Sequence, residues 1–288
     1  MPELPEVETV RRDLHEHLVG RTIESVCLNR DDILLQTSAD ALAEALRGAT
    51  VSSVDRRGKN LIIQLDRGPA VLINLGMTGQ LFIADAEAKL ADHTHLVAQL
   101  SDGNRLVFRD IRRFGHVELC ADGQAGESCT LRKVGIDAMS EDFTAEALAE
   151  ILRGRNAIIK SALLDQSRVA GLGNIYVCEA LYRAGVSPLA RCGQLTPEAI
   201  RRLHRAIRQV LRESIAAEGT TISDYVTGTG VPGGFQKRLR VYGREGERCR
   251  KRGCGRRIER IVQSNRSTFY CPGCQPDPAP GNNGVNAH

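Results

Sequence analysis

Four cysteines near the end of the 288-residue chain, Cys249, Cys254, Cys271 and Cys274, are spaced Cys-x4-Cys-x16-Cys-x2-Cys. Two short-spaced pairs separated by a hairpin's length of chain suit a tetrahedral zinc site, each pair supplying two thiolates. Four thiolates leave no open coordination position, so the metal would be structural, one Zn2+ per chain. A segment this small would draw most of its folding free energy from that metal. Between the pairs, residues 257–262 and 267–270 read as two strands joined by residues 263–266, which is the outline of a zinc ribbon. The other five cysteines, Cys27, Cys120, Cys129, Cys178 and Cys192, lack metal spacing and read as bystanders.

A second set of reactive groups stands at the opposite end. Pro2 follows the initiator methionine, whose removal before proline leaves a secondary amine. An α-amino group titrates near about 8, well below lysine, so much of it is unprotonated and nucleophilic at neutral pH. Attack by a secondary amine on an aldehyde-level carbon gives a cationic iminium, an electron sink for elimination. Glu3 is adjacent, and Glu6 follows one helical turn later on the same face. Amine plus carboxylates can break a glycosidic bond and shuttle protons. The same residues could also do no more than open a helix, with Pro5 in its first turn and the glutamates complementing its dipole.

The rest of the sequence must hold these groups. Val7, Val10, Leu14 and Leu18 give a helix over residues 5–19. Short β-like runs follow at 22–28, 51–56, 59–66, 70–75, 80–84, 95–100, 104–109 and 115–120, with one helix near 40–47. Closely spaced strands broken by turn residues predict a β-sandwich with the first helix packed on it. Beyond about residue 130 the pattern is helical: a run capped by Thr144, a helix over 156–167, a tight Gly171-Leu172-Gly173 turn, a helix over 174–184, and a long helix opened by Thr196-Pro197-Glu198. The Gly/Thr-rich residues 219–235 predict a mobile loop. The fold class is therefore α+β and multidomain. The boundaries are 1–130 for the sandwich, 131–236 for the helical domain, 237–275 for the ribbon and 276–288 for a disordered tail.

Composition narrows the partners. The chain carries 39 Lys+Arg against 35 Asp+Glu, and arginine supplies 33 of the 39. Residues 237–274 alone hold 12 basic and 3 acidic residues, so the ribbon is strongly positive while the remainder is mildly acidic. That concentration beside a zinc ribbon points to nucleic acid, through phosphate neutralisation. No apolar stretch is long enough to cross a membrane and no signal peptide is visible, so the expectation is a cytoplasmic, nucleoid-associated monomer with no membrane partner.

The opening Met1-Pro2-Glu3-Leu4-Pro5-Glu6-Val7-Glu8-Thr9-Val10-Arg11-Arg12 resembles the start of bacterial formamidopyrimidine-DNA glycosylases, repair enzymes for 8-oxoguanine. The resemblance continues in order through Arg57-Gly58-Lys59-Asn60, Leu75-Gly76-Met77-Thr78-Gly79, Asp110-Ile111-Arg112-Arg113-Phe114-Gly115 and Val169-Ala170-Gly171-Leu172-Gly173-Asn174-Ile175-Tyr176. It ends with Val241-Tyr242-Gly243-Arg244 and the stretch Arg266 to Cys274, so that about residues 1–275 are covered. It implies a bifunctional glycosylase and abasic-site lyase acting on damaged double-stranded DNA. Pro2 would attack C1′, Glu3 would serve as acid and base on the opened sugar, and Glu6 would support it. Lys59 would be a further catalytic residue, contacting phosphate and assisting near the lesion.

The resemblance also implies that the nucleotide is flipped out and that Met77, Arg113 and Phe114 fill the gap. Residues 156–184 would form a helix-two-turn-helix whose Asn174 meets a phosphate. Arg266 at the ribbon's tip would grip another, His95 and Lys160 fall near phosphate contacts, and 219–235 would close over the extruded base. One departure is the first cysteine pair, Cys-x4-Cys where the family usually has Cys-x2-Cys. The alternatives are an endonuclease VIII-like enzyme for oxidised pyrimidines and a catalytically inactive zinc-ribbon DNA-binding protein. Leu4 and the Arg113-Phe114 pair favour the purine enzyme, and intact Pro2, Glu3 and Glu6 favour activity.

Overall fold

In the computed structural model, the described residues are 2–120, 128, 130–220 and 233–277. The predicted loop over 219–235 and tail over 276–288 therefore fall largely outside them. The chain divides into two compact units, Met1–Asp137 with Leu211–Arg238, and Ala138–Val210 with Leu239–His288.

The first unit opens with α1 (Leu4–Leu18), followed by β1 (Ile23–Leu28), α2 (Ala39–Leu46), β2 (Val51–Arg57), β3 (Asn60–Leu65), β4 (Ala70–Asn74), β5 (Gly79–Ala84), β6 (Thr94–Leu100), β7 (Arg105–Asp110) and β8 (His116–Cys120). The strands form two four-stranded antiparallel sheets, ordered β1-β6-β7-β5 and β2-β3-β4-β8. Helix α1 buries Val7, Val10, Leu14 and Leu18 at spacings of three and four, a single stripe that joins the core between the sheets. In the second sheet, Leu61, Ile63, Val71, Ile73 and Val117 face that core. Their alternates Ile62, Ala70, Leu72 and Cys120 pack with Leu131 on the other face. Burial on both faces explains why β3 and β4 read as unbroken apolar runs rather than alternating ones.

The second unit contains α3 (Ala145–Leu152), α4 (Ile159–Leu164), α5 (Asn174–Ala184) and most of α6 (Pro197–Ile215). The predicted caps are present: Thr144 Oγ1 accepts from Ala147 N at 3.1 Å and Thr196 Oγ1 from Ala199 N at 3.2 Å. The expected helix over 156–167 is shorter than its sequence pattern. Ile158 pairs in a β-bridge with Arg191, so the helix opens only at Ile159, and at its other end Asp165 folds back onto Ser167 and Arg168. The ribbon strands β9 (Glu259–Gln263) and β10 (Arg266–Tyr270) pair with Gln263 opposite Arg266. The hairpin loop is thus the two residues Ser264-Asn265 rather than the expected four. Both have positive φ, 48° and 56°, the backbone of a two-residue turn whose twist matches the strands.

Candidate active site and nucleic-acid interface

Pro2, Glu3 and Glu6 are all buried at the start of α1. Glu3 is the N-cap, and its backbone N–H donates to Glu6 Oε2 at 2.9 Å. Glu6 Oε1 accepts from Thr220 N at 2.8 Å. One carboxylate therefore ties the helix start to Thr220, the last described residue before 221. Lys59 lies in the β2–β3 turn, whose strands pack against α1. That turn is braced from below: Asp137 Oδ2 accepts from Gly58 N and from Arg56 Nη1, both at 2.6 Å. Arg56 also reaches Glu8 of α1 at 3.2 Å. Burial pushes the Glu8 carboxyl up, but Arg11, Arg12 and Arg56 more than reverse this and hold it below the usual carboxylate range.

Two turns meet at another edge of this unit. Met77 occupies the β4–β5 turn and is 37% exposed, whereas Phe114 on the turn after β7 is 56% exposed. Gly76 allows the meeting. Its φ is +57°, and a Cβ there would lie 2.4 Å from Gly115 N. Asp110, fully buried, joins the two turns. Its Oδ1 accepts from Thr78 Oγ1 at 2.5 Å and Arg112 N at 3.2 Å, and its Oδ2 from Gly115 N at 2.8 Å. Its carbonyl oxygen bonds His95 Nε2 at 2.8 Å, and His95 is itself buried.

The two arginines of this motif diverge. Arg113 has φ +56° and pairs with Asp32 at 2.7 Å. Arg112 is the one whose guanidinium lies over the Phe114 ring, 4.7 Å from its centroid. Sequence reasoning grouped Arg113 with Phe114. The left-handed backbone at Arg113, which turns the chain between the two arginines, carries no signal in a string of residue types.

The second unit holds the remaining polar residues. Lys160 is only 1% exposed, and its Nζ donates to Ser267 O at 3.1 Å and Thr268 Oγ1 at 2.5 Å. Burial, with the Arg266 charge adding to it, lowers the Lys160 pKa from the ordinary lysine value. Asn174, the first residue of α5, donates from Nδ2 to Ser267 O at 2.9 Å and meets the Tyr242 hydroxyl at 3.5 Å. Its Oδ1 is buried without a hydrogen-bond partner. Tyr242, quoted in the sequence only as part of the Val241-Tyr242-Gly243-Arg244 motif, is brought to Asn174 by the fold. Arg266 is exposed at the hairpin end.

The four predicted zinc ligands converge, with all Sγ atoms within 4.8 Å of one another. Cys249–Cys274, Cys254–Cys271 and Cys254–Cys274 are separated by 3.8, 3.5 and 3.5 Å. Metal–sulfur bonds of about 2.3 Å in a tetrahedron give edges of about 3.8 Å, so the donor set fits one structural zinc. The longer first pair is accommodated by a turn in which Cys254 N donates to Lys251 O at 3.1 Å, with Gly253 at φ +79°.

Three family profiles match successive parts of the chain: the formamidopyrimidine-DNA glycosylase N-terminal domain over residues 1–117, its H2TH domain over 134–226, and the zinc finger found in FPG and IleRS over 246–276. Formamidopyrimidine-DNA glycosylases of Ruegeria pomeroyi and Gluconobacter oxydans are each 45% identical to it, with 96% of this chain and 100% of each relative covered. The chain belongs to the formamidopyrimidine-DNA glycosylase family. A solved complex of the Lactococcus lactis glycosylase with abasic-site DNA superposes with a TM-score of 0.89 at 36% identity, covering 96% of this chain and all of that one. A variant of the same protein bound to DNA containing Fapy-dG gives the same score and identity over the same coverage. The glycosylase architecture is therefore the expected one: a helix on a β-sandwich, a helical H2TH segment and a zinc ribbon. Among the described residues no helix is long and apolar enough to cross a membrane.

Proposed function

We propose that this protein excises oxidised purines, 8-oxoguanine and formamidopyrimidines, from duplex DNA and then cleaves the abasic strand. The observation that carries the reading is the buried Pro2-Glu3-Glu6 start of α1 in a chain with full-length glycosylase relatives. After removal of Met1, the Pro2 lone pair bonds C1′ as the C1′–base bond breaks and its electron pair leaves with the base, which takes up a proton as the Pro2 nitrogen loses its own and regains a lone pair. Glu3 protonates the departing ring oxygen, and the nitrogen lone pair closes the iminium. Loss of a C2′ proton expels the 3′-phosphate, and a second elimination expels the 5′-phosphate. Water hydrolyses the remaining iminium and frees Pro2.

Glu6 orients Glu3 through its hydrogen bond and holds Thr220. Lys59 acts on a neighbouring phosphate. Met77 and Phe114 wedge into the gap left by the flipped nucleotide. Arg112, stacked on Phe114, has a stronger claim to accompany the wedge than Arg113, which the Asp32 pair holds. Asn174, Tyr242 and Arg266 take backbone phosphates, with Lys160 and His95 behind the phosphate-facing surfaces.

The functional division follows the sequence: 1–130 catalytic, 131–236 helix-two-turn-helix with the lesion loop, 237–275 ribbon, and a tail after it. One chain supplies every group this chemistry uses, which supports a monomer, and an enzyme whose substrate is duplex DNA would act in the cytoplasm. The test is borohydride trapping on duplexes carrying 8-oxoguanine opposite cytosine. A covalent adduct is expected, and an N-terminal extension that acylates Pro2 should abolish it. An adduct that survives the extension rules out the amine mechanism, and stronger trapping on thymine glycol reassigns the substrate to pyrimidines.

A further inference from the structure

We propose that Glu179 is the positioning residue that sets the ribbon's grip on DNA, by fixing the backbone of residues 240–242 and through it the Tyr242 hydroxyl beside Asn174. The proposal rests on the reading that Asn174 and Tyr242 meet a DNA phosphate. Glu179 lies within α5 and is completely buried. Its Oε1 accepts from Arg240 N at 2.9 Å, Val241 N at 2.8 Å and Tyr242 N at 3.0 Å, while its Oε2 lies 3.0 Å from Arg240 N.

Three successive peptide N–H groups wrapped around one carboxylate form an anion nest, which offsets the cost of burying the charge. The nest fixes the path of the chain at the point where it enters the ribbon. From there the Tyr242 ring packs edge-on to Phe269 of β10, with centroids 5.1 Å apart, and its hydroxyl meets Asn174 Nδ2 at 3.5 Å.

Asn174 and Glu179 are five residues apart on the same helix, about 7.5 Å along its axis. Asn174 grips β10 through Ser267 O, and Glu179 grips the lead-in through 240–242. Helix α5 also packs Cys178 and Tyr182 against Val241, Ile258 and Cys271, with the Tyr182 hydroxyl 3.2 Å from Cys249 Sγ, so the zinc end of the ribbon has its own seat. Without the Glu179 contact the lead-in at 240–242 could shift and carry Tyr242 with it, while the zinc-site end stays seated on Cys178 and Tyr182 and keeps its ligands. Glutamine keeps the oxygen that serves the three N–H groups but carries no negative charge for them, and it turns an NH2 toward Arg240 N where Oε2 accepts.

The test uses the full-length, zinc-loaded protein with Glu179→Gln, Tyr242→Phe and the double variant. Affinity is read by anisotropy on a duplex carrying an uncleavable abasic analogue. The excision rate is read in single turnovers at saturating 8-oxoguanine DNA, and zinc by elemental analysis. Glu179→Gln should weaken binding roughly tenfold, as expected for a lost charged hydrogen-bond acceptor. Zinc should stay at one per chain and the saturated rate within about twofold, because the chemistry sits on α1.

The double variant should bind no worse than the weaker single variant, since Glu179 acts through Tyr242. Additive losses, unchanged affinity in Glu179→Gln, zinc release, or a slowed saturated rate with affinity kept would each overturn the assignment. If Tyr242→Phe and Asn174→Ala both bind DNA as tightly as the parent, the reading of that phosphate contact fails instead.

Discussion

The residues that organise both candidate sites are buried acids that sequence reasoning passed over. Asp110 was read only as the first letter of a motif, and Glu179 as one residue in a helix. Their partners explain why. Asp110 serves Thr78 across 32 positions and Glu179 serves residues 61 to 63 positions away, separations that no local pattern reports. The four cysteines were legible from their spacing and do converge, whereas Pro2, Glu3 and Glu6 stood out only through the family resemblance, since the same residues could simply open a helix. His116 on β8 offers a prediction at this scale. Burial lowers its pKa from 6.5, against the opposing charge of Glu118, so the folded protein prefers the neutral ring. Between its folded value and 6.5 the unfolded chain binds the proton and the folded one does not. Stability therefore falls as pH drops through 6.5 to the folded value and then levels off. Urea unfolding at a series of pH values should show this slope, and His116→Gln should flatten it.

Elements were read well where a single periodicity governed them. The stripe of α1 and the caps of α3 and α6 follow from side-chain type alone. Ends fixed by distant backbone were not legible: α4 opens late because Ile158 pairs with Arg191, and the ribbon turn tightens because Ser264 and Asn265 adopt positive φ. The β2–β3 turn that carries Lys59 depends on Asp137, which accepts from both Arg56 and Gly58. The Arg56 and Asp137 side chains are 9% and 13% exposed, so water cannot replace the lost partner. Asp137→Ala should cost about 3 kcal/mol in chemical denaturation, as for other broken buried ion pairs. Asp137→Asn, which keeps an acceptor for Gly58 N, should cost less. Both should slow excision by loosening the turn under Lys59, which single-turnover kinetics would register.

Over the whole molecule, charge and metal coincide. The net charge of +4 hides a ribbon region nine charges positive, and the same region closes around four convergent thiols. Stripping the zinc with a strong chelator should abolish tight DNA binding while leaving most of the β-sandwich signal in circular dichroism, because the sandwich has its own core. Arg266→Ala should weaken binding similarly for all sequences and lower the slope of log affinity against log salt by about one.

Helix α5 meets the ribbon with polar and apolar groups at once. Glu179 and Asn174 bind the amides of 240–242 and the carbonyl of Ser267, while Cys178 packs with Val241, Ile258 and Cys271, and the Tyr182 hydroxyl lies 3.2 Å from Cys249 Sγ. The seat thus includes two of the metal-site thiols, so the ribbon is open to sequence drift on its outer face but not here. A ribbon transplanted from a relative with the shorter pair should dock on this helix only if it keeps apolar residues at 241 and 258 along with its thiols.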